Sequence, residues 1–420
     1  MTLKEELEIL RGEPIEVFTG DPMDIPCIET SDPEKLCKHP VVSVHMITYN
    51  HEPYIRQAIE GVMMQKTDFE FELVIGEDCS QDKTREICFE YQKKYPDRIR
   101  ILWWHENLRK VKHPAGGNGK RNLAHCRGEF IAFCEGDDYW IDPLKLQKQV
   151  EVMRTRPNVS FCFAGGQISV HGEERARHWN NKETYRPGLV RGDVFFLKYM
   201  FGVRFDEGDW PASNFLLTAS ILIRAQSHHL AKNRYEVMNW RLFLGDTPTW
   251  LGLASVGDAY YLPDEVCVYN QLASGACRST GDKVGRDGLL VRLYYYCQHY
   301  ERPFSDLPNS IHSSLYFYAI VQRFDTAVGV GYRNHIKAIA SLPHLKCVVY
   351  GWRFLFVTFC LLFANSPCPI LVGRYLTYCL NPMSDPRWLK QEYVRFGEDY
   401  RNDGNRNLMC RIIVGLKNFM

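Results

Sequence analysis

The chain has 420 residues, enough for about two or three domains, and 45% of them are hydrophobic, so a sizeable core can form. The 51 lysines and arginines nearly balance the 50 aspartates and glutamates, which gives a formal net charge of +1. Because nucleic-acid binding needs a concentrated basic face, this balance argues against a nucleic-acid partner.

The 15 cysteines are scattered along the chain and form no Cys-x-x-Cys pair. This pattern argues against a disulfide framework or a structural zinc site and favours a reducing compartment. The N-terminal stretch MTLKEELEILRGEP lacks the apolar segment of a secretory signal. We therefore expect a cytoplasmic protein with free thiols.

Residues 1–38 are predicted to be an N-terminal extension, since an amphipathic start gives way to a stretch rich in proline and aspartate. From residue 41 onward, β-branched apolar runs alternate with segments of helical periodicity. The runs predict strands at 41–48, 69–78, 99–104 and 129–134, and the periodic segments predict helices at 53–65, 83–95, 118–126 and 144–153. Such alternation predicts an α/β fold with a mainly parallel central sheet.

Polar residues follow three of these predicted strands. Tyr49 and Asn50 follow the first, Glu77 and Asp78 end the second, and the pair at 137–138 follows the fourth. In parallel α/β sheets, ligands bind outside the carboxyl ends of the strands. We therefore expect these groups to converge on one edge of the sheet. If the aspartate pair were only part of a solvated turn, this convergence would have no explanation.

Glycine-rich phosphate loops are missing where a nucleotide fold would place them. The turn after the first strand, YNHEP, has no glycine, and GGNGKRN at 116–122 has the wrong spacing for a P-loop. A divalent cation bridging carboxylates and a diphosphate is the other common arrangement, because Mg²⁺ takes one or two carboxylates together with phosphate oxygens. The adjacent Asp137 and Asp138 suit that arrangement.

Three blocks carry a resemblance to a known family: VSVHMITYNHEPYIRQAIEGVMMQ, FELVIGEDCSQDKTREI and RGEFIAFCEGDDYWIDPLKLQKQV. In this order and spacing they resemble family-2 inverting glycosyltransferases of the GT-A fold, of the type that builds bacterial surface polysaccharides. The match covers roughly residues 41–150 and weakens to about residue 270. The resemblance implies a GT-A nucleotide-sugar-binding domain at 39–280.

The resemblance assigns donor-binding roles to matching positions. It implies that Tyr49 packs against the nucleotide base and that Asp78 hydrogen-bonds it, although Glu77 stands where the family more often has aspartate. Arg121 or Lys120 is expected to reach the diphosphate or the base. Arg278, in SGACRST, is expected to close over the diphosphate from a loop.

The acidic pair matches the family's DxD-type motif. By that match Asp138 is the expected ligand of Mn²⁺ or Mg²⁺, and Asp137 is expected near the ribose or the waters on the metal.

A general base is also implied, because inverting transfer needs a carboxylate that takes the proton of the acceptor hydroxyl. The stretch LFLGDTPTWLGLASVGDAYYLPDEVCVYN resembles the family's later block, and by that match Asp246 is the base. From the residues alone, the N-cap of a helix is the favoured interpretation of Asp246, and the resemblance is what favours catalysis. Asp258 and Asp264 are weaker candidates.

The implied activity is non-processive transfer of a sugar, because no Q-x-x-R-W motif or run of transmembrane helices occurs. We expect a UDP-sugar as donor and a glycan or lipid-linked acceptor, with residues 210–223 lining the acceptor side. Residues 281–420 are predicted to form a mainly helical C-terminal region. Its apolar segment 347–364 is too short to span a bilayer and predicts either a buried helix or, over 347–376, peripheral contact with the cytoplasmic face of the membrane.

Three other classes remain as alternatives. A catalytically silent protein of the same fold would bind a nucleotide sugar or a partner without turnover. A nucleotidyltransferase would share the sheet and the metal site but would carry a glycine-rich basic loop after the first strand, which this chain lacks. An α/β scaffold for protein contacts would leave the converging acids without a role.

Overall fold

The structure is a computed structural model of the chain. It describes residues 2–11, 13–170, 177–179, 186–195, 216–242 and 246–272, and single positions between 287 and 298. All of these belong to one compact unit, Met1–Glu301. The predicted helical region 281–420 lies almost wholly outside the described residues, as do the membrane-contact segment 347–376, Arg278 and the first part of the 210–223 stretch.

The described elements alternate as the sequence predicts over the first half of the chain. The strands are β1 (Ile28–Thr30), β2 (Val42–Thr48), β3 (Phe71–Glu77), β4 (Ile99–Trp103), β5 (Phe130–Phe133), β6 (Tyr139–Trp140), β7 (Val159–Val170), β8 (Arg177–Trp179), β9 (Gly188–Val190), β10 (Leu222–Arg224) and β11 (Asp258–Gln271). The helices are α1 (Leu3–Arg11), α2 (Ile55–Met63), α3 (Thr84–Lys94), α4 (Leu108–Val111), α5 (Asn118–Ala124), α6 (Lys145–Thr155), α7 (Ala225–Arg234) and α8 (Asp246–Ala254). Short 3₁₀ turns lie at 22–24, 218–220 and 236–239.

These strands form one sheet in the order β1-β4-β3-β2-β5-β10-β7-β11-β6, with β8 beside β7 and β9 beside β11. The pairs β4–β3, β3–β2 and β2–β5 are parallel, and so is β7–β11. β10 runs antiparallel between β5 and β7. The predicted α/β fold with a mainly parallel central sheet is confirmed.

The centre of the sheet is buried on both faces. Every residue of β3 and β5 is buried, and six of the seven residues of β2 are. Continuous apolar runs without alternation are typical of parallel strands that helices cover on both sides. Helices α2, α3 and α6 contribute apolar faces to the same core cluster, which includes Ile59, Ile87 and Leu146.

The predicted N-terminal extension contributes a strand to this sheet. β1 pairs antiparallel with β4 at its edge, with Ile28 opposite Trp103. The Arg100 guanidinium joins the two strands, because it donates to both carboxylate oxygens of Glu29 at 2.9 and 2.8 Å and to Glu72 at 3.3 Å. Residues 1–38 are therefore partly integrated into this sheet, and the domain boundary predicted at residue 280 stays a prediction.

Two features of the described residues relate to the predicted compartment: the state of the cysteines and the character of the helices. Each of the nine cysteines that the structure describes has a free thiol. Among the described residues, no helix combines the length and the apolar character needed to cross a bilayer.

Candidate functional site

The ends of β2, β3 and β5 meet at one edge of the sheet, as the sequence predicts. The strands are parallel neighbours, and hydrogen bonds continue past their ends. The Asp78 amide donates to the Thr48 carbonyl at 3.1 Å, and the Gly136 amide donates to the Ile47 carbonyl at 2.9 Å. This edge therefore carries Tyr49, Asp78 and the acidic tip at 135–138 together; we call it the donor edge.

Gly136 allows the tip of β5 to approach β2 closely. A Cβ at this position would lie 2.6 Å from Thr48 Oγ1, 2.7 Å from Thr48 Cβ and 3.0 Å from His51 Nδ1. Side-chain atoms essentially never approach so closely, so any larger residue would displace the tip from β2. The glycine between the acids thus fixes where their carboxylates lie.

Asp78 lies where a base-binding residue was predicted, and its carboxylate is already engaged. Its Oδ1 accepts from the Leu108 amide at 2.8 Å and its Oδ2 accepts from Asn107 Nδ2 at 3.0 Å. Burial is the largest influence on this carboxyl and raises its pKa. Because each carboxylate oxygen has two lone pairs, these contacts leave capacity for a ligand while they hold the loop after β4 against the donor edge. Tyr49 is half-buried beside it.

The two adjacent aspartates occupy different environments. Asp138 is 3% exposed, and its Oδ1 accepts from the Asn270 amide at 2.9 Å, which ties the tip to the end of β11. The side chain of Asp137 is 23% exposed, and its Oδ2 lies 3.8 Å from His51 Nε2. Burial, followed by the charges of Glu135 and Asp137, raises the pKa of Asp138 well above its usual range. Asp137 is thus the more accessible carboxylate of the pair.

Glu135 is the site residue that the sequence reasoning missed. Its Oε2 is buried without a hydrogen-bond partner, as are Thr48 Oγ1 and His51 Nδ1 close to it in the fold. Burial and then the charges of Asp137 and Asp246 raise the pKa of Glu135 to about 8. The signal available in the sequence was a third acid, two residues before the pair, directly after a buried strand.

A divalent cation fits this acidic tip in the way that Mg²⁺ commonly binds. Within the described ranges, no group of three or more His, Cys, Asp and Glu side chains has the geometry of a preformed metal site. A cation bound through one or two carboxylates and substrate phosphates needs no such cage. The unpartnered Glu135 Oε2 and the raised pKa of Asp138 mark a place where added positive charge is favourable.

Asp246 is the predicted base that lies beside the acidic tip. It begins α8, and its Oδ1 accepts from the Thr247 amide at 3.1 Å. Burial raises the pKa of its carboxyl, and its charge in turn acts on Glu135. This position is compatible both with capping the N-terminus of α8 and with membership of the acidic cluster. The catalytic role of Asp246 therefore stays a prediction.

The two weaker base candidates lie in other surroundings. Asp258 begins β11 opposite the start of β7, at the sheet edge away from the strand tips, and accepts from the Gly192 amide at 2.9 Å. Asp264 is ion-paired with Lys148 at 2.6 Å. Neither joins the acids at the donor edge.

Arg121 lies beneath the donor edge rather than on its surface. It is fully buried, and its Nη2 donates to the carbonyls of Glu77 and Leu102 at 3.1 and 3.0 Å and to Asn118 Oδ1 at 2.7 Å. Its Nη1 donates to the Pro26 carbonyl at 3.1 Å. These contacts make it a residue that positions the ends of β3 and β4, and the donor contact predicted for it stays a prediction.

Comparison with known proteins identifies the domain that carries this site. Residues 43–217 match the family model described as glycosyl transferase family 2. Residues 43–217 are therefore similar to the family-2 glycosyltransferases. The resemblance inferred from the three sequence blocks is thereby confirmed, and the family-2 domain includes both the donor edge and the acidic tip.

Relatives of the family-2 domain come from several bacteria. An uncharacterized protein of Mycobacterium tuberculosis is 32% identical over 239 residues, which is 57% of this chain and 61% of that protein. The Escherichia coli UDP-Glc:alpha-D-GlcNAc-diphosphoundecaprenol beta-1,3-glucosyltransferase is 34% identical over 130 residues, 30% of this chain and 46% of the enzyme. Staphylococcus aureus TarS 1–349, solved in complex with UDP-GlcNAc, aligns with 15% identity and a TM-score of 0.46, covering 81% of this chain and 90% of TarS 1–349. The match to the mycobacterial relative thus spans about three fifths of that relative's length.

Proposed function

We propose that the chain transfers a sugar from a nucleotide-diphosphate sugar to an acceptor hydroxyl by a single inverting displacement. The observation that carries this proposal is the acidic cluster at the donor edge, where the charge of Asp246 acts on Glu135 at the tip of β5. Such a site holds a diphosphate leaving group on one side and a base on the other.

Each residue has a distinct task in this proposal. Tyr49 and Asp78 bind the nucleoside, and Arg121 keeps the strand ends beneath it in place. Asp137, with Asp138 or Glu135, would hold Mn²⁺ or Mg²⁺, which when bound neutralises charge on the diphosphate. Among these carboxylates, the exposure of Asp137 favours it as the first contact with the cation.

Asp246 takes the proton of the acceptor hydroxyl as that oxygen attacks the anomeric carbon. A base works best when its pKa lies near the working pH, and burial moves the pKa of Asp246 in that direction. The nucleotide diphosphate leaves on the opposite face of the sugar, so the configuration at the anomeric carbon inverts.

The finer identity of the substrates is also part of the proposal. The Escherichia coli relative takes a UDP-linked sugar and a lipid-diphosphate-linked acceptor by its name. We propose the same classes here, a UDP-sugar and a glycan or lipid-linked acceptor, for an enzyme of surface-polysaccharide synthesis that works in the cytoplasm at the membrane face.

A binding and hydrolysis screen tests the proposal directly. Purified protein is titrated with a panel of UDP-, GDP- and dTDP-sugars, with Mn²⁺, with Mg²⁺ and with chelator. We expect one donor to bind in a metal-dependent way and to be hydrolysed slowly in the absence of an acceptor.

Variants assign the effect to the acidic tip. Asp137→Asn and Asp138→Asn should abolish the metal-dependent part of donor binding, whereas Asp264→Asn, which alters a carboxylate away from the tip, should leave it unchanged. If no nucleotide sugar binds in the presence of either metal, the proposal is wrong and the silent, partner-binding alternative is favoured.

A further inference from the structure

A cluster of basic side chains lies on the face of the sheet that α5, α7 and the 3₁₀ turn at 236–239 cover. Lys120 Nζ donates to the Met238 carbonyl at 3.2 Å and lies 4.7 Å from the centre of the Phe18 ring. The Arg241 guanidinium lies 4.6 Å from the same ring. His228 and Lys232, one turn apart on α7, complete what we call the basic cluster.

Positive charge in this cluster exceeds the negative charge around it. Within the described part of the chain, neither Lys120 nor Lys232 has a carboxylate within ion-pair distance, and Arg241 pairs only with the exposed Glu16 at 3.3 Å. Burial, then the charge of Lys232, lowers the pKa of Lys120 to about 8. Burial and the same two lysines lower the pKa of His228 to about 4. A half-buried lysine without a counter-charge is unfavourable unless an anion binds it.

The basic cluster is connected to the helix that the predicted base begins. Met238, whose carbonyl accepts from Lys120, packs with its sulfur against Gly252 of α8. Ala231, next to Lys232 on α7, packs against the same glycine. Asp246 begins this helix, six residues before Gly252, a distance of about 9 Å along the axis. Met238 and Ala231 therefore link the basic cluster to the helix that Asp246 begins.

We propose that the basic cluster is a subsite for a phosphate or diphosphate group carried by the acceptor. Lys120 and Lys232 supply two positive charges, and His228 and Arg241 add hydrogen-bond donors beside them. Two ammonium groups match a dianion better than a single carboxylate, because lysine binds phosphate as a point charge. The inference rests on the proposed transferase function, since it specifies the acceptor class of that site.

A titration without metal tests the subsite independently of catalysis. Hexyl diphosphate is titrated calorimetrically into the full-length protein in the presence of chelator. Without a bound cation, the carboxylates of the acidic tip repel this anionic ligand, so binding there does not contribute. We expect wild-type protein to bind hexyl diphosphate. The double variant Lys120→Gln/Lys232→Gln should bind it at least about tenfold more weakly, a loss of about 1.4 kcal/mol in binding free energy. The control Lys93→Gln, which changes an exposed lysine, should bind it as tightly as wild type. Absence of binding to wild type, or equal binding to the double variant, would overturn the proposal.

Two acceptors with the same sugar then separate the acceptor subsite from a donor role. One carries the sugar on an alkyl diphosphate and the other on a neutral alkyl chain. We expect the single variant Lys232→Gln, which leaves Lys120 in place, to raise KM by about threefold for the diphosphate acceptor only, with the KM for the donor and the rate of donor hydrolysis unchanged. An equal change with both acceptors, or a weaker affinity for the nucleotide diphosphate, would contradict the acceptor assignment. If wild type hydrolyses no donor, the transferase proposal fails on its own, and the titration still decides whether the cluster binds a diphosphate.

Discussion

At the scale of single residues, Asp246 should separate catalysis from donor binding. Asp246→Asn keeps the size of the side chain and the oxygen that caps α8, but removes the base. We expect kcat for sugar transfer to fall by about 10²–10⁴-fold while the donor dissociation constant stays within about twofold of wild type. Steady-state kinetics with a calorimetric donor titration would measure both.

The matched control for this change is Asp264→Asn, whose carboxylate pairs with Lys148 away from the donor edge. Its kcat should stay near the wild-type value. If Asp246→Asn and Asp264→Asn have equal kcat, Asp246 acts only as the first residue of α8.

Glu135 should make the stability of the metal-free protein depend on pH. Its pKa is about 8 in the folded state against an ordinary value of 4.5, so the folded state binds the proton more tightly than the unfolded state. This contribution to stability is complete below about pH 4.5 and is lost as the pH rises towards 8. Glu135→Gln should remove the decline and gain about 1–3 kcal/mol over wild type at pH 8, measured by urea denaturation in chelator.

An exposed glutamate provides the comparison for that measurement. Glu151→Gln on α6 should keep the wild-type decline, because its carboxylate faces solvent. Parallel stability–pH curves for wild type and Glu135→Gln would show that the Glu135 carboxyl is not perturbed by its burial.

At the scale of elements, the contact between the tip of β5 and the end of β2 depends on Gly136. In Gly136→Ala the new methyl group meets Thr48 and His51 at 3.0 Å or less, so the acidic tip must move away from β2. We expect a loss of about 1–3 kcal/mol in the free energy of unfolding together with weaker metal-dependent donor binding.

Gly119 on α5 is the opposite case, because an added Cβ there meets nothing within 4 Å. Gly119→Ala should raise stability by about 0.5–1 kcal/mol, since alanine favours a helix over glycine, and should leave donor binding unchanged. Thermal unfolding of the two variants side by side would measure the contrast. Donor affinity that is equal in both variants would show that the position of the tip does not control the site.

At the scale of the whole molecule, residues 13–38 should be needed for a stable catalytic unit. Removing residues 1–38 deletes β1, exposes the edge of β4 and leaves the buried Arg100 without Glu29. Because Arg100 keeps its ion pair with Glu72 and Glu29 is partly exposed, the loss of Glu29 should cost less than the about 3–5 kcal/mol of a fully buried ion pair. The loss of Ile15, Ile25 and Leu36, all buried, adds to that cost.

A shorter deletion, of residues 1–12, keeps β1 and these contacts and should cost much less. Chemical denaturation of the three proteins, followed by circular dichroism, would rank them. A 39–420 protein as stable as the full chain would mean that this segment is an independent extension, as its composition predicted.

The residue pattern predicts the elements around the donor edge. Largely apolar runs define β2, β3 and β5, and the polar residues at or after the end of each run place Tyr49, Asp78 and the Asp137–Asp138 pair at strand ends. These features are local, because strand burial and chain reversal follow from residue type over a few positions. Parallel pairing then brings the ends together, so the approximate site could be predicted without coordinates.

Only the tertiary structure decided how each of these groups is engaged. The edge strand β1, the antiparallel insertion of β10 and the burial of Arg121 all depend on partners distant in sequence, such as Trp103, Ala132 and Leu102. The unpartnered oxygen of Glu135 is likewise invisible in the motif, because desolvation and the charges of neighbouring acids depend on how chain segments pack. Residue type fixed the chemistry available at this edge, and long-range packing decided which groups remained free to use it.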